Sequence, residues 1–293
     1  MGLPLQRPPR GLFVGLATVD SIFSAAAVPQ RNSKVQVREW DLIPGGPATN
    51  AAVAFRALGG ETTLASVLGS HPLAEIIRRD VGKQQITVCD MAPEYAGPPG
   101  LASVIVSPGG DRLVVSTGAF HLAQPDNVGD LLESLQPDVV LVDGYIANLA
   151  LDAMHKARAL DIPVVIDGGS WRPYFEDLLP HCDIAICSEA FAPPNVSGTD
   201  AILSYLAERG VAYRAVTRGE RSIIFQSPQG VGSVAVETIA AVDTLGAGDI
   251  FHGAFAYAWA RGERDLPAAL AAASRTASLS CCQFGTRSWI AHL

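Results

Sequence analysis

The segment VVLVDGYIANLALDAMHKARALDIPVVI, residues 139–166, reads as a strand, a helix and a second strand. Its two ends, 139–142 and 164–166, are unbroken apolar runs of the kind that a strand covered on both faces requires. Between them Leu149, Ala153, Ala157 and Leu160 recur on one helical face across 148–160. A unit of this kind closes by a right-handed crossover that sets its two strands parallel. Similar short runs, bounded by Gly, Pro or Asp, return at 12–17, 64–68, 184–187 and 215–217. The chain is therefore expected to be an α/β protein with a central, mostly parallel sheet.

Two segments depart from this pattern. At 34–41 and 101–117, Val and Ile alternate with polar residues, the second time around Pro108, Gly109 and Gly110. Alternation with period two predicts strands with one wet face. They are expected to form a small antiparallel sheet standing off the main body, a lid with segments at about 33–44 and 98–119. Beyond Gly246 the chain turns helical: 250–260 is small and apolar, and Asp265 with Pro267 opens a second helix running to about Cys282. No repeat or low-complexity tract divides the chain, so 1–293 is expected to be one domain.

With 48% apolar and 17% charged residues, 28 Gly and 20 Pro, the composition suits a turn-rich enzyme and not a disordered or coiled-coil chain. Any disorder is expected within residues 1–10. A net charge of -8 disfavours a surface for nucleic-acid backbone, so a phosphorylated ligand must be held locally, by backbone N–H groups and a few cations. The five cysteines, Cys89, Cys182, Cys187, Cys281 and Cys282, lack C-x-x-C spacing and read as reduced, mostly buried thiols of a cytoplasmic protein. Arg7 and Arg10 before the apolar stretch 11–19, with Ala25, Ala26 and Ala27 after it, imitate a secretory signal. Asp20 and the shortness of the run favour a first buried strand instead. No apolar segment reaches the length of a membrane span, and Gln6 breaks the myristoylation pattern after Gly2.

The chemistry concentrates in VDTLGAGD, residues 242–249, which leads into the apolar helix. A Gly-rich turn at a helix start aims unpaired N–H groups and the positive end of the helix dipole at one spot, a place for an anion. A carboxylate at the same turn, Asp249, can accept the proton of an attacking hydroxyl. Equally, Gly246 and Gly248 can make a tight turn and Asp249 can cap a helix. The spacing alone leaves both readings open. There is no G-x-x-x-x-G-K-[ST], which argues against a Walker-type ATPase, and no G-x-G-x-x-G after a strand, which argues against a nicotinamide oxidoreductase.

These residues resemble the C-terminal signature D-T-x-G-A-G-D of the PfkB, or ribokinase-like, family of carbohydrate kinases. Far upstream, GGPATN at 45–50 followed by AAVAFRALG at 51–59 resembles the family's N-terminal signature. The resemblance runs from about residue 12 to residue 285. It implies a ribokinase-like three-layer sandwich with a β lid, ATP with Mg2+, a sugar or sugar-like acceptor, no nucleic acid or membrane partner, and a homodimer formed through the lid. In that family the last Asp of the signature deprotonates the acceptor hydroxyl and the preceding G-A-G forms an anion hole. Carried over, the base is Asp249 and the hole is Gly246, Ala247 and Gly248.

Asp20, Gly45, Gly46 and Asn50 match the family's acceptor-binding positions, although Asp20 and Asn50 would also serve as ordinary caps. Asp167 and Arg172, in DGGSWRP after a strand end, are further acceptor or phosphate candidates. Thr217 and Gly219 resemble the loop beneath the ATP phosphates, and the stretch 274–285 the helical wall beside adenine. Asp243, Leu245, Ser280 and Gly285 match positions where many relatives hold a monovalent cation such as K+.

The sequence also departs from the family. GSHPLA at 69–74 lacks the G-x-D-x-x-G of many relatives, Ser222 replaces a frequent Gly, and the N-x-x-E element that organises Mg2+ is missing. Ser188 and Glu189 in its place resemble the ketohexokinase-like and sulfofructose-kinase-like branches. Mg2+ is then expected to be carried mainly by ATP phosphates and water. A sugar or nucleotide sensor without catalysis and a nucleoside kinase are the alternatives.

Overall fold

Chain segments that are apolar on every residue must be covered on both sides, and the computed structural model, which describes residues 7–107 and 112–293, shows how this is met. The strands are β1 (Arg10–Val14), β2 (Thr18–Ser24), β3 (Glu39–Gly45), β4 (Glu61–Ser66), β5 (Thr87–Asp90), β6 (Gly100–Val106) and β7 (Arg112–Ser116). They continue with β8 (Val139–Val142), β9 (Val164–Gly168), β10 (Ile184–Ser188), β11 (Tyr213–Arg218), β12 (Arg221–Ser227) and β13 (Gly230–Val234). The helices are α1 (Pro47–Ala57), α2 (Ala74–Lys83), α3 (Leu131–Leu135), α4 (Ala147–Ala159), α5 (Phe175–Leu178), α6 (Thr199–Glu208), α7 (Ala247–Ala260) and α8 (Leu266–Cys281).

The main sheet has the order β13-β12-β11-β10-β9-β8-β1-β4-β5. Its strands are parallel from β11 to β5, and β12 and β13 extend it as an antiparallel edge. Successive residues of one strand feed opposite faces. Phe13, Leu141 and Val165 pack with α1, α2, α7 and α8, whereas Leu12, Val14, Val140 and Val142 pack with α3, α4, α5 and α6. The result is the ribokinase-like three-layer sandwich that the sequence led us to expect. Helices α1 and α7 run close because Ala51, Ala54 and Gly253 meet at their contact: a methyl group on Gly253 would overlap the Ala51 carbonyl. The cysteines are all free, and Cys182, Cys187 and Cys281 are buried.

A second sheet stands apart, in the order β3-β2-β6-β7. Pairs β2–β3 and β6–β7 are antiparallel, and the central pair β2–β6 is parallel. Its inner face buries Ile22, Val104 and Val106 against Ile43, Leu245 and Phe284. Register places Trp40, Phe23, Ile105 and Leu113 in one row of the outer face, and Leu42, Ser21, Ser103 and Val115 in the next.

Three boundaries differ from expectation. The strand predicted over 34–41 begins only at Glu39 and runs to Gly45, pairing along its whole length with β2. Strand β2 was not anticipated, since its residues follow directly on the first apolar run. That run ends at Val14 and not at residue 17, because the Leu16 N–H turns onto the carboxylate of Asp143 (2.8 Å) and bends the chain out of the body. The turn at Pro108, Gly109 and Gly110 lies outside the described residues, as do residues 1–6 of the segment 1–10 to which any disorder was assigned. Among the described residues no helix is long and apolar enough to cross a membrane.

Arg287, beyond α8, ties the layers together. Its guanidinium donates to the Pro44 carbonyl of β3 (3.0 Å) and to Asn50 Oδ1 of α1 (2.9 Å), and its Nε pairs with Asp80 of α2 (3.1 Å). Arg287→Leu leaves these acceptors without a donor and is expected to lower unfolding stability by about 1–3 kcal/mol. Arg287→Lys should restore only part of it, because one ammonium cannot span three directions. Denaturant unfolding of both variants checks the order.

Candidate active site

The main sheet reverses its winding at β1, with β4 on one side and β8 on the other. Open α/β sheets bind ligands outside the carboxyl ends of strands at such a point. The carboxylate of Asp143, after β8, organises this end by accepting the N–H groups of Leu16 (2.8 Å), Ala48 (3.1 Å) and Tyr145 (3.0 Å). Burial pushes its pKa up to about 6, against the pull of those N–H groups.

Gly45 and Gly46 bring the end of β3 against β2 and α1. A methyl on Gly45 would overlap the Asp20 carboxylate, and Gly46, at φ 95°, passes so close to the Leu16 carbonyl that a side chain would collide with it. Asp20 is buried and accepts a 2.6 Å hydrogen bond from the Thr18 hydroxyl. Burial lifts its pKa to about 6, while Thr18 and the charge of Arg287 pull it down.

Asp249 lies in the first turn of α7, behind Gly246 at φ 71°. Neither it nor Asn50 caps a helix. Instead Asn50 Nδ2 donates to Asp249 Oδ2 at 2.8 Å. Since Arg287 occupies the amide oxygen of Asn50, the amide nitrogen is turned to Asp249. Burial pushes the Asp249 pKa up to about 7, the charge of Asp167 adds to the rise, and the Asn50 hydrogen bond opposes it.

The N–H groups of a helix's first turn have no intrahelical acceptor. Here the Ala247 N–H reaches back to the Thr244 carbonyl at 3.3 Å, while those of Gly246 and Gly248 belong to the same turn beside Asp249. Arg112 of β7 reaches down from the second sheet to the Thr244 carbonyl (3.0 Å) and hydroxyl (2.6 Å). The lid is thus latched onto the signature turn.

Asp167, at the end of β9, is buried and points at His252 Nδ1, 3.3 Å away. Arg172 lies 4.7 Å over the Tyr145 ring and donates to the Tyr145 hydroxyl (3.3 Å). At the ends of β10 and β11, the Glu189 N–H donates to the Thr217 carbonyl (2.9 Å), and the Ser188 hydroxyl donates to Gly169 (3.1 Å). The Glu189 side chain is paired with Arg221, and Gly219 makes the turn into β12 at φ 63°. Helix α7 packs across β1, β8 and β9, so its first turn stands between the Asp20 side and the Thr217 side.

Asp243 is buried and accepts the N–H groups of Leu245 and Gly285, both at 2.9 Å, while its own N–H donates to Cys281, next to Ser280. The four expected cation positions therefore lie together. Among the described residues no three His, Cys, Asp or Glu side chains converge on a common point. A cavity of about 670 Å³ opens at the opposite end of the strands, near Arg10, Arg56 and Glu61, away from all these groups.

Asp143, His252, Arg287 and Arg112 escaped the sequence reading. His252 had a signal there in its place one turn after Asp249, and Asp143 had one in its place directly after the run 139–142.

Comparison with known proteins agrees with this layout. Ribokinase of Bacillus subtilis is 26% identical over 279 residues, covering 94% of this chain and 93% of the relative. The crystal structure of a ribokinase-type protein of Agrobacterium tumefaciens matches with a TM-score of 0.84 at 29% identity, over 97% of this chain and 94% of the other. Ribokinase of Arabidopsis thaliana, solved with ribose and ATP, shares the fold with a TM-score of 0.73 at 21% identity, over 96% of this chain and 94% of the other. The pattern of the pfkB family carbohydrate kinases matches residues 12–292, and the chain belongs to that family.

Proposed function

We propose that this chain transfers the γ-phosphoryl group of ATP to a hydroxyl of a sugar or sugar-like acceptor, with Asp249 as general base. The observation that carries this reading is the buried Asp249 carboxylate, held by Asn50 at 2.8 Å beside the N–H groups of a glycine turn at a helix start. Gly246, Ala247 and Gly248 form the anion hole, to which Gly246 and Gly248 contribute most directly because the Ala247 N–H already has an acceptor. Asp20, Gly45, Gly46 and Asn50 line the acceptor side. Arg172 offers a cation there, while Asp167 acts from beneath through His252.

Ser188, Glu189, Thr217 and Gly219 lie on the ATP side. Among the described residues no His, Cys, Asp and Glu side chains form a cage for Mg2+, which is expected to come with the nucleotide. One buried carboxylate, Asp243, with the carbonyls of Leu245, Ser280 and Gly285 offers the hard oxygen ligands that suit a monovalent cation such as K+. The lid, already in contact through Arg112, closes over the acceptor and keeps water from the phosphoryl group. The exposed outer face of the lid, with Trp40 at 63% and Val115 at 67% exposure, supports a homodimer formed there. A cytoplasmic setting, where ATP is at hand, goes with this reading.

ADP release measured against ribose, other aldoses, ketoses and nucleosides identifies the acceptor, and silence toward all of them would favour a sensor. Asp249→Asn should lower kcat by roughly 10²- to 10⁴-fold while ATP still binds. Because the base works ionised and its pKa stands at about 7, kcat/KM for the acceptor should rise with pH up to a plateau above that value. Trp40→Lys should shift the mass measured by light scattering from dimer to monomer.

A further inference from the structure

His252 is 4% exposed, and each of its ring nitrogens faces oxygen acceptors. Nδ1 lies 2.7 Å from the Gly248 carbonyl and 3.3 Å from Asp167 Oδ2, and Nε2 lies 3.0 Å from the Ile186 carbonyl. Neither carbonyl oxygen carries a hydrogen; burial pushes the Asp167 pKa up, and the charge of His252 pulls it down. A neutral imidazole has one N–H and one lone pair, so either tautomer would set a lone pair against a carbonyl oxygen in a buried place. An ordinary core histidine has a donor opposite one nitrogen; here both positions call for a proton. The cation this implies has its counter-ion in Asp167, on the neighbouring strand end.

The position of the pair gives it a further consequence. Asp167 raises the proton affinity of Asp249, and a positive charge on His252, one turn along the same helix, counters it. The other charged or titratable groups facing this cluster are Asp143 after β8, Cys187 of β10, Tyr145 and, against Tyr145, Arg172; α1 contributes only the neutral Asn50. The Gly248 carbonyl also shares a peptide unit with the Asp249 N–H. Donation to that carbonyl polarises the unit and strengthens the N–H as a donor to an anion.

We propose that His252 is a positioning residue held as an imidazolium, which neutralises Asp167 beneath the site and thereby favours the ionised form of Asp249 while fixing the anion-hole turn to β10. The part concerning the base rests on the kinase reading above. The ring nitrogens of ¹⁵N-histidine-labelled protein at neutral pH test the charge directly. Both nitrogens of His252, assigned by His252→Asn or by substituting the other histidines in turn, are expected to carry protons. A spectrum in which either one is bare overturns the proposal. This measurement needs no turnover, so a chain inactive on every acceptor would sink the kinase reading and leave the charge state standing.

The pH profile tests the coupling. His252→Asn should move the acid limb of kcat/KM upward by about one unit, since Asp167 is then uncompensated. The double variant His252→Asn with Asp167→Asn removes both charges and should bring the limb back toward the wild-type position. A packing role alone would leave the double variant at least as impaired, with its limb unmoved, and that outcome overturns the coupling. If His252→Asn does not fold, the nitrogen spectrum of the wild type decides.

Discussion

The hydrogen bond from Asn50 to Asp249 joins the first turns of two helices that lie 199 residues apart in the chain. It can form only where α1 and α7 approach closely at one end, and the small residues at their contact, Ala51, Ala54 and Gly253, allow that approach. One glycine pair, Gly45 and Gly46, delivers α1 to this point, and another glycine, Gly246, starts α7 from it. Arg287 then holds the Asn50 amide from behind, so that a single guanidinium orients the group that touches Asp249. Both signature motifs serve one meeting point. A buried carboxylate is costly without such partners, and the architecture around Asp249 supplies them.

Much of the main sheet was legible because strands covered on both faces leave an unmistakable trace. Val139–Val142 is apolar at every position since each side of it meets a helix layer. The second sheet was harder to read. Residues of β2 include Asp20, Ser21 and Ser24 beside Val19, Ile22 and Phe23, and without a gap after the first run they look like its tail. The chain leaves the body there because Asp143, far along the sequence, captures the Leu16 N–H. No local pattern carries that information. The same reason shifts β3 toward Gly45, since its extent follows its pairing with β2.

The site divides in a similar way. Residues in contiguous motifs, Gly45 to Asn50 and Asp243 to Asp249, could be picked out because a backbone turn imposes its residue types in order. Groups that act by long-range contact could not. Arg287 reaches residues 207, 237 and 243 positions away, and nothing near it in the chain marks it from a surface arginine. Asp167 was read as a contact for an acceptor because it follows a strand end, yet its carboxylate is turned onto a histidine in a helix. Glu189, seen as part of a nucleotide site, has its side chain engaged with Arg221.

The second sheet carries both the buried Asp20 and the outward row of Trp40, Phe23, Ile105 and Leu113 on the same four strands. Adjacent residues of one strand therefore look in opposite directions, one toward the body of the protein, where the proposed acceptor binds, and the next toward whatever meets the outer face. Any body that binds that face and favours one position of the sheet changes the affinity for the acceptor. By thermodynamic reciprocity the acceptor changes the affinity of that body by the same factor. If the proposed dimer forms on that face, its formation and the occupancy of the proposed acceptor side are two readings of one equilibrium, written on the two faces of a sheet a single residue thick.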